Sequence, residues 1–197
     1  MPEGAQPSKR ALRAEFRERR RIMTSSEHEA ARQGLLAQLV SVTKAHDATR
    51  VACYLSTGDE PPTREFLEWA HTEGITAILP ISREDGLMDW VAFSPGSEDW
   101  DVTGMPVPHG ETLGPIALAE VDVIFVPAAA VSQEGMRLGW GRGYYDRALG
   151  SLNNDAPVYA VVYDHEVVEF VPQENHDQPV DAVVTPTRSM AFDSDVS

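Results

Sequence analysis

The chain has 197 residues, of which 42% are hydrophobic, so it is long and apolar enough to bury the core of one domain. Its 31 acidic and 16 basic residues give a net charge of −15, which argues against nucleic acid and anionic membranes as partners. The single cysteine, Cys53, excludes an intrachain disulfide. With no export signal at its start, the sequence predicts a cytoplasmic protein, and nothing in it implies an obligate protein partner.

The predicted elements alternate between helices and strands along the chain. Ser8 caps the first helix, and Thr24 with Glu27 forms the capping box of a second helix. Thr63 caps a third helix, and a fourth helix begins at about Tyr144. Short apolar runs predict strands at 51–55, 75–79, 88–93, 121–126, 159–163, 167–170 and 182–184.

This alternation predicts an α/β layered domain, with a central mixed, mostly parallel sheet covered by helices on both faces. The run 121–126 is the most apolar and is the candidate central strand. We expect Pro80 to end the second strand, and residues 94–115, rich in glycine, proline and acids, to form a long connection. We expect a single domain over residues 1–197, with loose termini at about 1–7 and 189–197.

The positive charge of this acidic chain is concentrated in two places. Seven basic residues lie between positions 9 and 21, and Arg137, Arg142 and Arg147 lie in the glycine-rich segment 135–147. The alternating glycines of that segment let backbone N–H groups approach a ligand, and the helix start that follows suits phosphate oxygens. The arginines add charge-assisted contacts, and Asp146 is a candidate ligand for Mg²⁺. The alternative is a surface loop whose glycines serve turn geometry alone.

Three further groups are candidates on their chemistry. Glu60 follows the first strand, where ligands of α/β sheets bind, and its carboxylate suits the N–H groups of a pterin; an acidic loop leading into a helix is the alternative. Tyr144 can stack on a flat heterocycle, whereas core packing explains Tyr145 better. A basic group shares one face of the first helix, where a solvated charged face is the ordinary explanation: Lys9, Arg13, Arg17 and Arg20.

The string Gly-x-Arg-Leu-Gly-x-Gly-x-Gly-Tyr-Tyr-Asp at 135–146 resembles the signature of the 5-formyltetrahydrofolate cyclo-ligase family, also called methenyltetrahydrofolate synthetases. The basic first helix, the Asp59-Glu60 loop and a late run that begins at His176 also match, so the resemblance covers about residues 8–186. It implies conversion of 5-formyltetrahydrofolate to 5,10-methenyltetrahydrofolate while ATP becomes ADP and phosphate. The implied route is phosphorylation of the formyl oxygen followed by attack of N10.

The resemblance also implies a role for each matching residue. Arg142 and Tyr144 would be catalytic, Glu60, Tyr144 and Met88 would bind the folate substrate, and Asp146 would hold Mg²⁺. The implied ATP-binding residues are Lys9, Arg13, Arg137, Leu138, Gly139, Trp140, Gly141, Arg142, Gly143 and Tyr145. Arg17 and the run 19–21 are not included, and a surface role explains them.

Several positions depart from the family pattern. Ala128, Val131 and Ser132 replace a usual glycine, aromatic residue and aspartate, Val107 replaces a usual glutamate, and Glu166 stands where glutamine is common. Two alternatives therefore stay open: a non-catalytic folate- or nucleotide-binding protein of the same fold, and a phosphosugar-processing enzyme on a similar sheet. Two late matches are explained equally well by a site role and by a turn: Asp177 and Asp181.

Overall fold

The computed structural model describes residues 7–100, 106–152 and 154–192 of the chain. The α-helices in these ranges are α1 (Lys9–Arg21), α2 (Ser25–Ala45), α3 (Arg64–Thr72) and α4 (Tyr144–Gly150), and 3₁₀ helices lie at Pro115–Glu120 and Asp164–Glu166. The strands are β1 (Arg50–Ala52), β2 (Thr76–Ser82), β3 (Met88–Ala92), β4 (Glu98–Trp100), β5 (Pro106–Pro108), β6 (Thr112–Leu113), β7 (Val123–Pro127), β8 (Ala130–Ser132), β9 (Arg137–Leu138), β10 (Val158–Val161), β11 (Val167–Val168), β12 (Ala182–Val184) and β13 (Ser189–Ala191). None of the helices in these ranges combines the length and apolar character that crossing a bilayer requires.

The central sheet has its strands in the order β13-β12-β10-β7-β1-β2-β3-β6. The inner strands from β12 to β2 are all parallel to one another, whereas β13, β3 and β6 join antiparallel at the edges. The sheet is therefore mixed and mostly parallel, as predicted. Strand β7, which overlaps the run predicted to be central, lies between β10 and β1 in the middle of the sheet.

Both faces of the sheet are covered because alternate strand residues point to opposite sides. On one face, Phe125 of β7 packs in a cluster with Leu39 of α2 and Phe66 of α3. On the other face, Ile124 packs with residues of the first 3₁₀ helix and of α4, including Leu118. This arrangement confirms the predicted α/β fold with helices on both faces.

A small second sheet carries the first helix. Its strand order is β11-β8-β9, and Phe16 of α1 packs there with Leu138 of β9 and Val171. Because β9 belongs to the glycine-rich segment, this packing places the basic helix directly beside it.

Two of the three predicted helix caps are confirmed. Ser8 accepts a hydrogen bond from the amide three residues on, at 3.2 Å, and Thr24 and Glu27 form the predicted capping box. Thr63 precedes α3, but its hydroxyl donates to the carbonyl of Tyr54 at 2.6 Å instead of capping the helix. That prediction was wrong because a buried backbone acceptor competes for the same hydroxyl.

The prediction that Pro80 ends the second strand was wrong. Strand β2 continues to Ser82, with Pro80 opposite Trp90 of β3. Among the described residues, β1 pairs with β2 only as far as Ile78, so beyond that point one side of β2 has no strand partner. A proline is tolerated at this position because no neighbouring strand on that side needs a hydrogen bond from its backbone nitrogen.

Two predicted irregular segments contain regular structure. Within residues 94–115, β4 pairs with β5 and β6 pairs with β3, while residues 101–105 lie outside the described ranges. Residues 189–191, expected to be loose, form β13 because main-chain pairing with β12 needs no hydrophobic pattern. The rest of the predicted loose termini lies mostly outside the described residues.

Candidate active site

Two of the predicted site regions follow parallel strands of the central sheet. Glu60 lies in the loop after β1, and the glycine-rich segment, which contains β9, comes after β7 and β8. Carboxyl ends of parallel strands meet at one edge of a sheet, which is where ligands bind in α/β folds. Helix α1 approaches this edge through its packing on the small sheet.

Arg13 connects α1 to the glycine-rich segment. Its Nε donates to the carbonyl of Gly139 at 2.6 Å. Gly141 has a φ of +97°, and a Cβ atom on it would lie 3.4 Å from the guanidinium of Arg13. The structure therefore brings together two parts of the predicted ATP site that are more than 120 residues apart in the chain.

Arg137 and Asp146 form an ion pair inside the segment. The side chain of Arg137 is 2% exposed; its Nη2 lies 2.7 Å from Oδ1 of Asp146 and its Nη1 donates to the carbonyl of Pro127 at 3.2 Å. Leu138 is likewise buried, in the cluster around Phe16, so only its backbone is available to a ligand. Direct contact of Arg137 with a phosphate stays a prediction, and the structure adds a role for it in holding Asp146.

Asp146 fits a magnesium ion that is shared with phosphate groups. Oδ1 is bonded to Arg137, while Oδ2 has no hydrogen-bond partner among the described residues. Its side chain is 15% exposed, so the carboxylate can be reached from solvent. One carboxylate oxygen is sufficient for Mg²⁺ when substrate oxygens and water complete its octahedron.

Lys9 lies against the late acidic run. Its Nζ is 2.6 Å from Oδ2 of Asp177 and 3.1 Å from Oε2 of Glu174. Burial acts to raise the pKa of Asp177, but the bonds from Lys9 and from the Glu174 amide outweigh it and lower that pKa. Asp181 instead accepts from the amide of Val158 at 2.7 Å, which fixes β12 to β10. The structure thus joins Asp177 to a predicted ATP ligand and gives Asp181 a bond within the sheet.

Glu60 lies in a loop that closes on itself. Its Oε2 accepts from the amide of Thr57 at 2.9 Å and from the hydroxyl of Thr57 at 3.1 Å. Burial raises the pKa of Glu60, although the two bonds from Thr57 lower it in part. Oε1 has no partner in the described part of the chain, so a substrate N–H group can be accepted there.

Tyr144, the first residue of α4, and Met88 of β3 belong to the same hydrophobic cluster. The hydroxyl of Tyr144 donates to the carbonyl of Arg83 at 3.0 Å, and the guanidinium of Arg147 lies 5.2 Å from its ring centroid. Met88, at the start of β3, is 4% exposed and packs in the core beneath α4. In this structure Tyr144 fastens α4 to the β2–β3 hairpin, and the substrate contacts of both residues stay predictions.

Three polar atoms of the glycine-rich segment are buried without a hydrogen-bond partner among the described residues. They are Nε of Arg137, Nε1 of Trp140 and the hydroxyl of Tyr145. Burial raises the pKa of Tyr145, so its hydroxyl stays protonated and is a donor. Buried donors are nearly always paired in proteins, so these three, which lie within nine residues, need acceptors from water or from a ligand.

Arg142, inside the glycine-rich segment, is exposed, whereas Ser132, which precedes it, is buried. The side chain of Arg142 is exposed, and its guanidinium makes no hydrogen bond or ion pair with any described residue. Ser132, which replaces the usual aspartate, is buried and accepts from the amides of Glu134 and Met136 at 3.2 and 3.1 Å. Ser132 therefore closes the turn that leads into the segment.

The prediction that a surface role explains the run 19–21 was wrong for Arg20, although the other two arginines of the run are exposed. The side chain of Arg20 is buried and pairs with Glu166, whose carboxylate also accepts from the amide of Tyr163 at 2.9 Å. A signal was present, since Leu12, Phe16 and Arg20 recur every four residues and so share the buried face of α1.

Comparison with known proteins decides the family. A sequence model described as the 5-formyltetrahydrofolate cyclo-ligase family matches residues 5–186. The chain belongs to this family. It is 34% identical over 188 residues to the 5-formyltetrahydrofolate cyclo-ligase of Mycolicibacterium smegmatis, covering 93% of this chain and 96% of that one. It is 29% identical over 178 residues to the Escherichia coli 5-formyltetrahydrofolate cyclo-ligase, covering 88% and 97% of the two chains.

A solved structure agrees with this cyclo-ligase family assignment. The 5,10-methenyltetrahydrofolate synthetase of Aquifex aeolicus superposes with a TM-score of 0.75 at 28% identity, covering 96% of this chain and 95% of that one. The resemblance noted from the sequence is therefore confirmed. As a member of the cyclo-ligase family, the protein is an enzyme of the ligase class.

Proposed function

We propose that this protein converts 5-formyltetrahydrofolate to 5,10-methenyltetrahydrofolate, with ATP becoming ADP and phosphate. The family assignment supports the folate reaction. The observation that carries the nucleotide part is the glycine-rich segment, where three buried donors lack a partner among the described residues and Arg13 lies against the backbone. An anionic ligand with many acceptors satisfies both features.

The proposed chemistry needs no protein nucleophile. The N5-formyl group is amide-like, so its oxygen is a poor leaving group. That oxygen attacks the γ-phosphorus of ATP, ADP departs, and N10 then attacks the activated carbon, loses its proton and expels phosphate as the ring closes. Phosphoryl transfer of this kind depends mainly on positioning and charge stabilisation.

The cations of the site supply that stabilisation in the proposal. Arg142 is exposed at the segment and is the candidate for contact with the transferring phosphoryl group. Arg13 is held over the backbone near Gly141. Lys9 lies one helical turn before it in α1 and is the other proposed phosphate contact of that helix. Because Lys9 is bonded to Asp177, it exchanges that partner for a phosphate oxygen when nucleotide binds.

Asp146 is the proposed ligand of Mg²⁺ through its Oδ2, with Arg137 holding the other oxygen in place. When bound, the ion would neutralise phosphate charge and help to orient the transferring group. Glu60 is the proposed anchor of the folate, with Oε1 accepting N–H groups of the pterin. Tyr144 is a second proposed substrate contact. We place the reaction in the cytoplasm, consistent with the single buried cysteine.

The test is a direct assay of the reaction. The protein is incubated with 5-formyltetrahydrofolate and Mg-ATP, and formation of the methenyl chromophore is followed together with release of phosphate. We expect one phosphate per methenyl product and no product when ATP is omitted. Binding of folate or ATP without turnover would instead support the non-catalytic binding protein, and phosphate release from a phosphosugar without folate binding would support the other alternative.

A further inference from the structure

Arg20 is a buried cation that contacts three separate loops. Its Nε and Nη2 donate to the two carboxylate oxygens of Glu166 at 2.6 and 2.8 Å, and Nη2 also donates to the carbonyl of Ala128 at 2.7 Å. Its guanidinium lies 5.0 Å from the ring centroid of Trp140 and 5.5 Å from that of Tyr163. The side chains of Arg20 and Glu166 are 3% and 0% exposed.

These contacts reach both halves of the proposed site. Trp140 belongs to the glycine-rich segment, which is the nucleotide half. Tyr163 contacts the loop of Glu60, which is the folate half, because its hydroxyl donates to the carbonyls of Asp59 and Glu60 at 3.3 and 3.4 Å. Its amide in turn donates to Glu166. The pair therefore lies between the loop after β1 and the loop after β9.

The cost of burying this pair indicates that it does more than fill space. Removing two charges from water is repaid only when both are fully hydrogen-bonded, and an apolar pair of similar size is often at least as stable. Burial acts to lower the pKa of Arg20, but its bonds to Glu166 outweigh this and raise it, so the guanidinium stays charged. Only a planar fork can hold a carboxylate and a carbonyl while facing two rings.

We propose that Arg20 and Glu166 are positioning residues that set the glycine-rich segment and the Glu60 loop relative to each other. The pair touches neither substrate. It acts through Trp140 on the nucleotide and through Tyr163 on the folate. The part of this inference that concerns substrate affinity rests on the proposed function.

Separating positioning from stability requires a variant that removes both charges together. Arg20→Met leaves the Glu166 carboxylate buried without its cation, so we expect the melting temperature to fall by roughly 10 °C. The double variant Arg20→Met/Glu166→Gln keeps an oxygen for the Tyr163 amide and has no buried charge. We expect it to recover most of the lost melting temperature.

The double variant should still be impaired in nucleotide binding. In this variant Trp140 and the Ala128 carbonyl no longer contact a guanidinium, so the glycine-rich segment is held less firmly. We therefore expect KM for ATP to rise roughly tenfold or more. KM for the folate should change by less than about threefold, because the hydrogen bond from the Tyr163 amide to residue 166 is kept, although the guanidinium beside the Tyr163 ring is lost. Arg20→Lys retains the charge without the fork, and its KM for ATP should lie between those of the parent and the double variant.

Hydrogen exchange gives a readout that does not need turnover. The amides of residues 139–143 should exchange faster in the double variant, while those of α2 should be unchanged. The matched control is Arg21→Met, which removes a neighbouring charge of the same helix whose pair with Glu18 is exposed. The control should behave like the parent in KM, melting temperature and exchange.

The outcomes separate this proposal from the proposed function. If the double variant regains both its melting temperature and the parent KM for ATP, the pair is structural only and the proposal is wrong. Unchanged exchange at 139–143 contradicts it as well, and so does an equal effect of Arg21→Met. If the parent itself makes no methenyl product, the proposed function fails, and the exchange experiment still decides whether the pair positions the segment.

Discussion

Replacing Asp146 by asparagine tests the buried ion pair at the centre of the glycine-rich segment. Asparagine keeps the size and one acceptor oxygen, but it leaves the guanidinium of Arg137, 2% exposed, without its only ion-pair partner among the described residues. Breaking a buried pair in this way costs about 3–5 kcal/mol, and the remaining hydrogen bond favours the lower end, about 3 kcal/mol. For a domain of this size that lowers the melting temperature by roughly 6–12 °C.

The same variant tests the proposed magnesium ligand. A ligand present at about 100 times its Kd stabilises a protein by about 2.7 kcal/mol, so Mg-ATP should raise the melting temperature of the parent by roughly 5–10 °C. If Asp146 holds the ion, the variant should gain much less from Mg-ATP. Melting curves with ATP alone, with Mg²⁺ alone and with both measure the two effects separately.

The control for Asp146→Asn is Glu18→Gln, which removes a carboxylate from an exposed pair with Arg21. It should leave both the melting temperature and the gain from Mg-ATP unchanged, since exposed pairs contribute little. An Asp146→Asn protein that melts like the parent would refute the argument that Arg137 depends on this carboxylate. An undiminished gain from Mg-ATP would refute the assignment of Asp146 as the metal ligand.

Three further variants test other parts of the structure. Arg142→Ala should raise KM for ATP about tenfold with little change in melting temperature, because its guanidinium makes no hydrogen bond or ion pair with any described residue; a large loss of stability would contradict this. Glu60→Gln should raise KM for the folate. Burial raises the pKa of Glu60 above its ordinary 4.5. The contribution of Glu60 to stability is therefore present below pH 4.5 and is lost as the pH rises through the higher pKa of the folded protein. In denaturant titrations, Glu60→Gln should be more stable than the parent at about pH 7 and equally stable at low pH. Gly34→Ala should destabilise by about 1–3 kcal/mol despite its gain in helix propensity, because the new Cβ would overlap the carbonyl of Pro186; an unchanged unfolding midpoint would show that α2 can shift away.

Local patterns in the chain were sufficient for most of the fold. The capping box at Thr24 and the apolar run that becomes β7 were recognisable because they depend on neighbouring residues and on burial periodicity. The error at Pro80 came from a tertiary fact, the point at which β1 stops accompanying β2. The error at Thr63 likewise came from the carbonyl of Tyr54, which only the folded chain brings within reach.

The candidate site shows the same division. The glycine-rich string and the acids at 59 and 60 identified the family, because they occur as contiguous residues with a distinctive spacing. The sequence did not show which of the two arginines is exposed, since Arg137 and Arg142 are both basic residues of the same segment. Burial separates them: the first is bonded to Asp146 inside the fold, and the second faces solvent.

By itself, then, the sequence determined the class of fold, the family and the two concentrations of positive charge in an acidic chain. The tertiary structure decided how those charges are used. In the folded chain Arg13 donates to the carbonyl of Gly139, Lys9 forms an ion pair with Asp177, and Arg20 is buried in an ion pair with Glu166. The physical reason is that the effect of a charge depends on its partners and on its distance from water, and both are set by contacts between residues that are far apart in the chain.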